Sequence, residues 1–303
     1  MQKTVILITG PTAVGKTAIA IEIARYFQTE IISADSRQCF NELNIGVARP
    51  SKDELGAVPH HFIASHSIQE NLSAAYFEQY ALRIAEDIFK RKDVLVMAGG
   101  TGLYIKAFTE GLDEIPAVDP ALRNRIIAEF EMNGMEWLQG EIKRMDPEYV
   151  SRGSMQNPQR LLRALEVVMG TGQSILSFQH KNKKQRPFRI ISIRLDLPRE
   201  ALYERINNRV DQMIKMGLLE EVTLLYPDRH LNALQTVGYK ELFEYIDGKQ
   251  SLEQAVEYIK RNTRHFAKRQ VTWFAHQLSS VVFHLEDKQK LFTYLKLELG
   301  SDC

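Results

Sequence analysis

Cysteine is scarce in this 303-residue sequence: only Cys39 and Cys303 occur, far apart and with the second at the terminus. That excludes a disulfide framework and a cysteine-based zinc site, and it fits a reducing compartment. A net charge of one sign is also missing. Thirty-nine Lys and Arg stand against 38 Asp and Glu, a formal +1, so any basic site must be local. No stretch approaches the roughly 20 apolar residues a membrane helix needs. The opening MQKTVILITG carries an apolar run too short for a signal-peptide core and leads straight into a motif, so it reads as a buried strand. Internal repeats and low-complexity tracts are absent, and 44% hydrophobic with 25% charged residues is globular rather than disordered composition. These absences predict a soluble, cytoplasmic protein without membrane association. With no coiled coil or large apolar stripe, they also point to a monomer.

What is present begins with alternation of strand and helix. Val5 to Thr9 is a β-branched apolar run suited to a central parallel strand, and Ile19, Ala20, Ile23, Ala24 and Phe27 follow at helical spacing. Ile31 to Ala34 reads as a second strand, Ser73 to Lys92 as a helix and Val94 to Met97 as a third strand. This succession predicts an α/β fold with a doubly wound parallel sheet. From about Gly111 to Phe188 only helical patterns appear, and strand character returns at Arg189 to Leu195. The expected organisation is therefore a core of residues 1–112 and 188–303 with an inserted all-helical subdomain, 113–187. Arg199 to about His276 reads as helical, and the last 25 or so residues as a weakly patterned tail.

The strongest motif is Gly10, Pro11, Thr12, Ala13, Val14, Gly15, Lys16 and Thr17. It matches G-x-x-x-x-G-K-[ST] with a strand before it and an amphipathic helix after it, the context of a P-loop. Glycines let the backbone wrap an anion, so that N–H groups and the helix N-terminus point at phosphate. Lys16 adds a positive charge, and the Thr17 hydroxyl is placed to ligate Mg2+. The second strand ends in Asp35, within Ser33-Ala-Asp-Ser-Arg-Gln38, and the third runs into Ala98-Gly-Gly-Thr101-Gly. Groups at the carboxyl ends of strands converge on one crevice in doubly wound sheets, so Asp35, Thr101 and the P-loop are expected to meet. A helix-cap role is the plainer alternative for Asp35. His60 and His61 are adjacent, would face opposite ways in a strand, and make a poor metal pair.

Several of these stretches resemble one family. GPTAVGKT at 10–17, DSRQ at 35–38, NIGVARP at 44–50, HHF at 60–62 and GGTGLY at 99–104 are similar to the tRNA dimethylallyltransferases, also called tRNA isopentenyltransferases. So are NPQRLLRALEV at 157–167, RVDQMIKMGLLEEV at 209–222, VGYKE at 237–241 and TRHFAKRQVTWF at 263–274. Two places depart from the common pattern. RGSMQNPQR stands where many members have an RIHPND-like sequence, and Cys39-Phe40 where an aliphatic residue and Tyr are usual.

The resemblance implies transfer of a dimethylallyl group from dimethylallyl diphosphate to N6 of an adenine at position 37, beside the tRNA anticodon. It implies Asp35 as the base, with Thr101 and Arg209 as its catalytic companions and Mg2+ as cofactor. A surface salt bridge is the plainer reading of Arg209. The tRNA contacts it implies are Asp35, Ser36, Arg37, Gln38 and Thr101 around a flipped base, with Gln38 suited to bidentate pairing with adenine. Further contacts to the anticodon stem-loop would come from Gln159, Arg160, Leu161, Leu162 and Arg163, from Arg123, and from Lys260, Arg264 and Lys268 on one helical face. A solvated charged face is the usual role of such a basic run. Two other functions fit the P-loop alone: a small-molecule kinase using ATP, and a non-enzymatic RNA-binding nucleotide switch.

Overall fold

The computed structural model describes residues 2–180 and 182–300; Cys303 lies outside them. Six strands form one all-parallel sheet in the order β3-β2-β4-β1-β5-β6. β1 (Thr4–Thr9) is central and wholly buried, flanked by β4 (Val94–Gly99) and β5 (Arg189–Asp196). Its residues alternate between two layers, as the strand period of two requires. Val5 and Leu7 face one apolar cluster, while Ile6 and Ile8 face another. β2 (Ile31–Ala34) and the two-residue β3 (His60–His61) extend the sheet on the β4 side.

Helices connect the strands and cover both faces. α1 (Lys16–Tyr26) follows β1, α2 (Lys52–Ala57) precedes β3, and α3 (Ala74–Phe89) leads to β4. α4 (Gly102–Glu110) starts at the β4 turn. After the excursion described below come β5, α8 (Arg199–Lys215), α9 (Leu218–Leu224), α10 (Tyr239–Ile246) and α11 (Leu252–Gln277). The weak patterning of the last 25 residues predicts no element there. The chain nonetheless forms β6 (Val281–His284), paired with β5, and α12 (Lys288–Leu299), whose Leu291 and Leu295 enter the Ile6–Ile8 cluster. No described helix is long and apolar enough to cross a membrane.

The helical segment leaves after β4 and α4 and returns at β5, as a separate compact unit spanning Glu110–Lys184. Both boundaries fall three residues earlier than the segment 113–187. It contains α5 (Pro120–Met145), which breaks at Gly134, α6 (Pro147–Arg152) and α7 (Pro158–Thr171). Leu138, Ile142, Leu161, Leu165 and Val167 are fully buried in its own core. At the root of the excursion the Glu110 carbonyl accepts from the Lys184 N–H at 2.7 Å. Within the sheet unit, Arg186 donates to the carbonyls of Ala107 and Phe108 and pairs with Glu78 at 2.8 Å, both side chains about nine-tenths buried.

Candidate active site

The glycine-rich loop begins where β1 stops pairing. Gly10, Ala13 and Gly15 all adopt positive φ, which turns successive backbone N–H groups toward a common point. Gly15, at φ +103°, is the N-cap of α1, a conformation only glycine takes without strain. No side chain caps this helix and no acid lies in its first turn. Its leading N–H groups and the positive end of its dipole are left for an anion. Lys16 Nζ donates to the carbonyls of Gly10 and Pro11 at 3.0 and 2.8 Å. Burial is the main influence pushing its pKa down to about 8; Asp35 opposes that and Arg209 adds to it.

Asp35 sits just past β2. Its Oδ1 accepts from the backbone N–H groups of Arg37 and Gln38 at 2.9 and 3.2 Å; the chain makes a turn there and forms no helix until α2, so the side chain closes a turn rather than capping a helix. One carboxylate oxygen fixes the turn, and the residue also lines the cavities around the glycine-rich loop. Thr101 is brought against this turn: its Oγ1 accepts from the Ser36 N–H at 3.0 Å and its own N–H donates to Ala34 O at 3.1 Å. The approach demands glycine at 99, since a Cβ there would lie 2.2 Å from Ala34 O. Burial lowers the pKa of Arg37, with Asp35 opposing.

Gln38 corrects an expectation. Its amide N–H groups donate to the carbonyls of Val47 and Ala48 at 3.1 and 2.9 Å, so its donors are committed and a bidentate pairing with adenine is closed to it. What the residue does instead is hold the loop 44–50. Glu221 holds the same loop from α9, accepting from the N–H groups of Ile45 and Gly46. Sequence reasoning missed Glu221, and no local signal distinguishes it from the acid beside it, Glu220.

α8 supplies two arginines. Arg209 is half-buried, lines the cavities on both sides of Asp35, and makes no ion pair among the described residues, so a surface salt bridge is not its role. Burial holds its pKa below the ordinary value. Arg205, one turn earlier, also lines the cavity of the glycine-rich loop, its Nη2 3.7 Å from where a Cβ on Gly15 would stand. Its spacing of four from Arg209 is the signal that could have found it. Asp35, Thr101, Arg209 and Thr12 together border a cavity of about 510 Å3.

The basic run on α11 is arranged differently from the expectation. Lys260 pairs with Asp211 of α8 at 2.8 Å and with Glu257 at 3.1 Å, which raises its pKa, the Asp211 bond foremost. Arg264 donates to Asn207 of α8 at 2.7 Å. The face these two share packs on α8, whereas Lys268 is exposed together with Arg261, His265, Phe266 and Arg269. His265, Phe266 and Arg269 line the 510 Å3 cavity. Phe274 is core, and Trp273 packs over Gly102.

In the helical unit, Gln159 and Arg160 are exposed at the start of α7, where Asn157 caps the Arg160 N–H at 3.1 Å. Leu161 is fully buried, so its side chain is core rather than a contact surface; Leu162 is half-buried. Arg123 and Arg163 grip opposite oxygens of the buried Glu166 at 2.9 and 2.7 Å, and with Gln159 and Leu162 they line a cavity of about 160 Å3. His60 and His61 do diverge: His60 donates from Nδ1 to Val58 O, and His61 pairs with Glu30. Thr17 and Asp35 share a cavity, and no cluster of three His, Cys, Asp or Glu able to hold a metal occurs among the described residues. A divalent ion there would rest on the Thr17 hydroxyl and on oxygens of a bound anion, the donor set a hard cation such as Mg2+ accepts.

Fold and site define an α/β protein with an anion-ready glycine-rich loop and an acid at a neighbouring strand end. The profile described as IPP transferase matches residues 38–277, and the chain belongs to that family. It is 49% identical to a tRNA dimethylallyltransferase of Christiangramia forsetii, over 99% of this chain and 100% of that one. Among solved structures, a tRNA isopentenylpyrophosphate transferase of Bacillus halodurans is 33% identical with a TM-score of 0.71, covering 99% of this chain and 96% of that one. One from Staphylococcus epidermidis is 32% identical, also with a TM-score of 0.71, and covers 99% of both chains.

Proposed function

We propose that this protein transfers a dimethylallyl group from dimethylallyl diphosphate to the exocyclic N6 of the adenosine at position 37, beside the anticodon of tRNA. The observation that carries the reading is the convergence of Asp35, Thr101 and Arg209 on one cavity bordered by the glycine-rich loop. Membership of the IPP transferase family and the named relatives support the choice of donor and acceptor.

In this reading the glycine-rich loop is a P-loop that holds the leaving group. N6 attacks the allylic C1, the C1–O bond breaks, and its electron pair departs on the diphosphate. The uncapped N–H groups of α1, Lys16, Arg205 and Arg209 stabilise the charge that grows there, the kind of preorganised stabilisation that is worth most away from water. An adenine amino group is a weak nucleophile because its lone pair is delocalised, so Asp35 accepts the N6 proton as the new bond forms. Thr101 and Ser36 orient the acceptor. The Thr17 hydroxyl would hold Mg2+ beside the leaving group, and the ion would supply further charge neutralisation there.

The RNA contacts fall to Asp35, Ser36, Arg37 and Thr101 around the flipped adenine, and to exposed groups elsewhere. These are Gln159, Arg160 and Arg123 in the helical unit, with the half-buried Arg163 beside Arg123, and Lys268 with Arg261 and Arg269 on α11. An unstacked anticodon loop suits such a surface better than duplex, because single strands expose base edges. The same reading makes the protein a cytoplasmic monomer.

The test uses Mg2+, radiolabelled dimethylallyl diphosphate and unmodified tRNA without ATP. Label in the tRNA is expected. Label that appears only with ATP, or never, overturns the proposal in favour of a kinase or a nucleotide switch.

A further inference from the structure

The ladder between β1 and β4 ends at Ile8 and Ala98. Beyond it the glycine-rich loop and the Gly99–Thr101 turn diverge, and no direct hydrogen bond joins them among the described residues. One side chain spans the gap. Gln270 of α11, 7% exposed, accepts from the Thr12 N–H on Oε1 at 2.8 Å and donates from Nε2 to Gly100 O at 2.9 Å.

The sequence of the turn is shaped around this contact. A Cβ on Gly100 would fall 2.3 Å from Gln270 Nε2, and one on Gly102 would fall 2.6 Å from the ring of Trp273, three residues further along α11. The two glycines therefore admit two consecutive contacts of one helix. Gly100 continues directly into Thr101, which is bonded to Ala34 and Ser36 on either side of Asp35. A single carboxamide thus closes a bonded chain from the phosphate loop, through the β4 turn, to the aspartate turn after β2. The amide needs both of its ends for this: one acceptor and one donor.

We propose that Gln270 is a positioning residue that sets the spacing between the leaving-group cradle and the Asp35–Thr101 side of the site. The proposal rests on the transferase reading. Gln270 borders the cavity, but both ends of its amide are taken up by Thr12 and Gly100; it acts through them, and it ties them to the helix that carries His265, Phe266 and Arg269 to the same cavity.

The experiment compares Gln270→Leu and Gln270→Glu with the wild type in single-turnover transfer and steady-state kinetics, with melting curves confirming folded protein at the assay temperature. Leucine fills the space and removes both bonds. Misplacement of reacting groups by about 1 Å costs on the order of 100-fold; a fall in kcat of tenfold or more, with KM for tRNA within about threefold, is expected. Glutamate keeps the acceptor for Thr12 but turns an oxygen toward Gly100 O, and only its protonated form can donate there. The wild-type to Gln270→Glu ratio of kcat should therefore shrink as pH falls from 8 to 5.5. The charged and titratable groups around the site are Lys16 of the glycine-rich loop, Asp35 and Arg37 after β2, Arg205 and Arg209 of α8, Lys240 and Glu241 of α10, and His265 and Arg269 of α11, and the Gln270→Leu variant, run at each pH, corrects for their titration. Rates within about twofold of wild type for both folded variants at pH 8, or a Gln270→Glu ratio flat across pH, overturn the proposal. If the wild type itself transfers no label, the transferase reading has failed separately. The staple is then judged by pyrophosphate affinity, at least threefold weaker in Gln270→Leu if it holds and unchanged if it does not.

Discussion

The hydroxyl of Tyr239 donates to Glu221 Oε1 at 2.7 Å, and the same carboxylate gathers the backbone N–H groups of Ile45 and Gly46. The loop that walls the cavity is therefore fastened from a distance of some 175 residues in sequence, by one acid that does not itself line that cavity. Replacing Glu221 with Ala strands four donors, the N–H groups of Asn44, Ile45 and Gly46 and the Tyr239 hydroxyl, each bonded to a charged group. A loss of about 2–4 kcal/mol is expected in urea unfolding, and Tyr239→Phe, which removes one donor, should cost about 1 kcal/mol.

Asp35→Asn separates the turn contact of that side chain from its proposed role as base. The amide oxygen can still accept from the Arg37 and Gln38 N–H groups, but the group no longer accepts a proton. Single-turnover transfer should fall by about 10²–10⁴, while tRNA affinity measured by filter binding stays within about threefold. Near-normal turnover would remove Asp35 as the base.

Arg209→Gln and Arg205→Gln test the leaving-group end. Loss of a preorganised charge donor of this kind costs on the order of 10²–10³ in kcat. Arg209, which also lines the cavity bordered by Asp35 and Thr101, should show the larger effect. Equal, twofold losses would exclude both from charge stabilisation.

Lys16 gives the pH dependence. Its pKa in the folded protein, about 8 against the ordinary 10.5, means it is charged below pH 8 and loses its proton above. A bound diphosphate restores the charge. Affinity for dimethylallyl diphosphate should then fall by up to about tenfold per pH unit above 8. Comparison with Lys16→Met at each pH removes the ligand's own ionisation, and the advantage of wild type over the variant should shrink between pH 8 and 10. For the free protein the sign is opposite. Between 8 and 10.5 only the unfolded chain holds this proton, so the contribution of Lys16 to stability rises with pH.

On α11 the exposed and the paired cations should behave differently. Lys268→Ala should weaken tRNA binding and reduce its salt slope by about 1, the share of a single phosphate. Lys260→Ala, whose ammonium already serves Asp211 and Glu257, should leave tRNA affinity within about twofold.

The parts of this molecule that could be read from sequence are those with strong local signals. The strand–loop–helix at 4–26 has an unbroken apolar run, a fixed-spacing motif and an amphipathic face, and each points the same way. The tail had none of these: three of the four residues of β6 are exposed, so the strand lacks the alternation that marks a half-buried one. Helical spacing put Lys260 and Arg264 on one face, but it carries no information about what that face meets, and here it meets α8. Gln38, Glu221 and Gln270 share one difficulty. Each is a polar residue whose partner is a backbone group brought near by the fold, and a backbone group leaves no trace in the sequence.

The stem of the helical excursion has a consequence for how such a chain is assembled. Phe108 and Arg186, and just beyond them Glu110 and Lys184, are hydrogen-bonded across the point of exit and return. The sheet unit is thus stitched shut at that point by its own residues, Arg186 and Glu78 among them. An insertion so rooted closes a loop whose ends are already adjacent, and the entropy of that closure grows only slowly with length. The excursion behaves as a graft: its size and surface can be revised with little demand on the host, and shortening it to a brief turn should leave a sheet that still folds and still binds diphosphate.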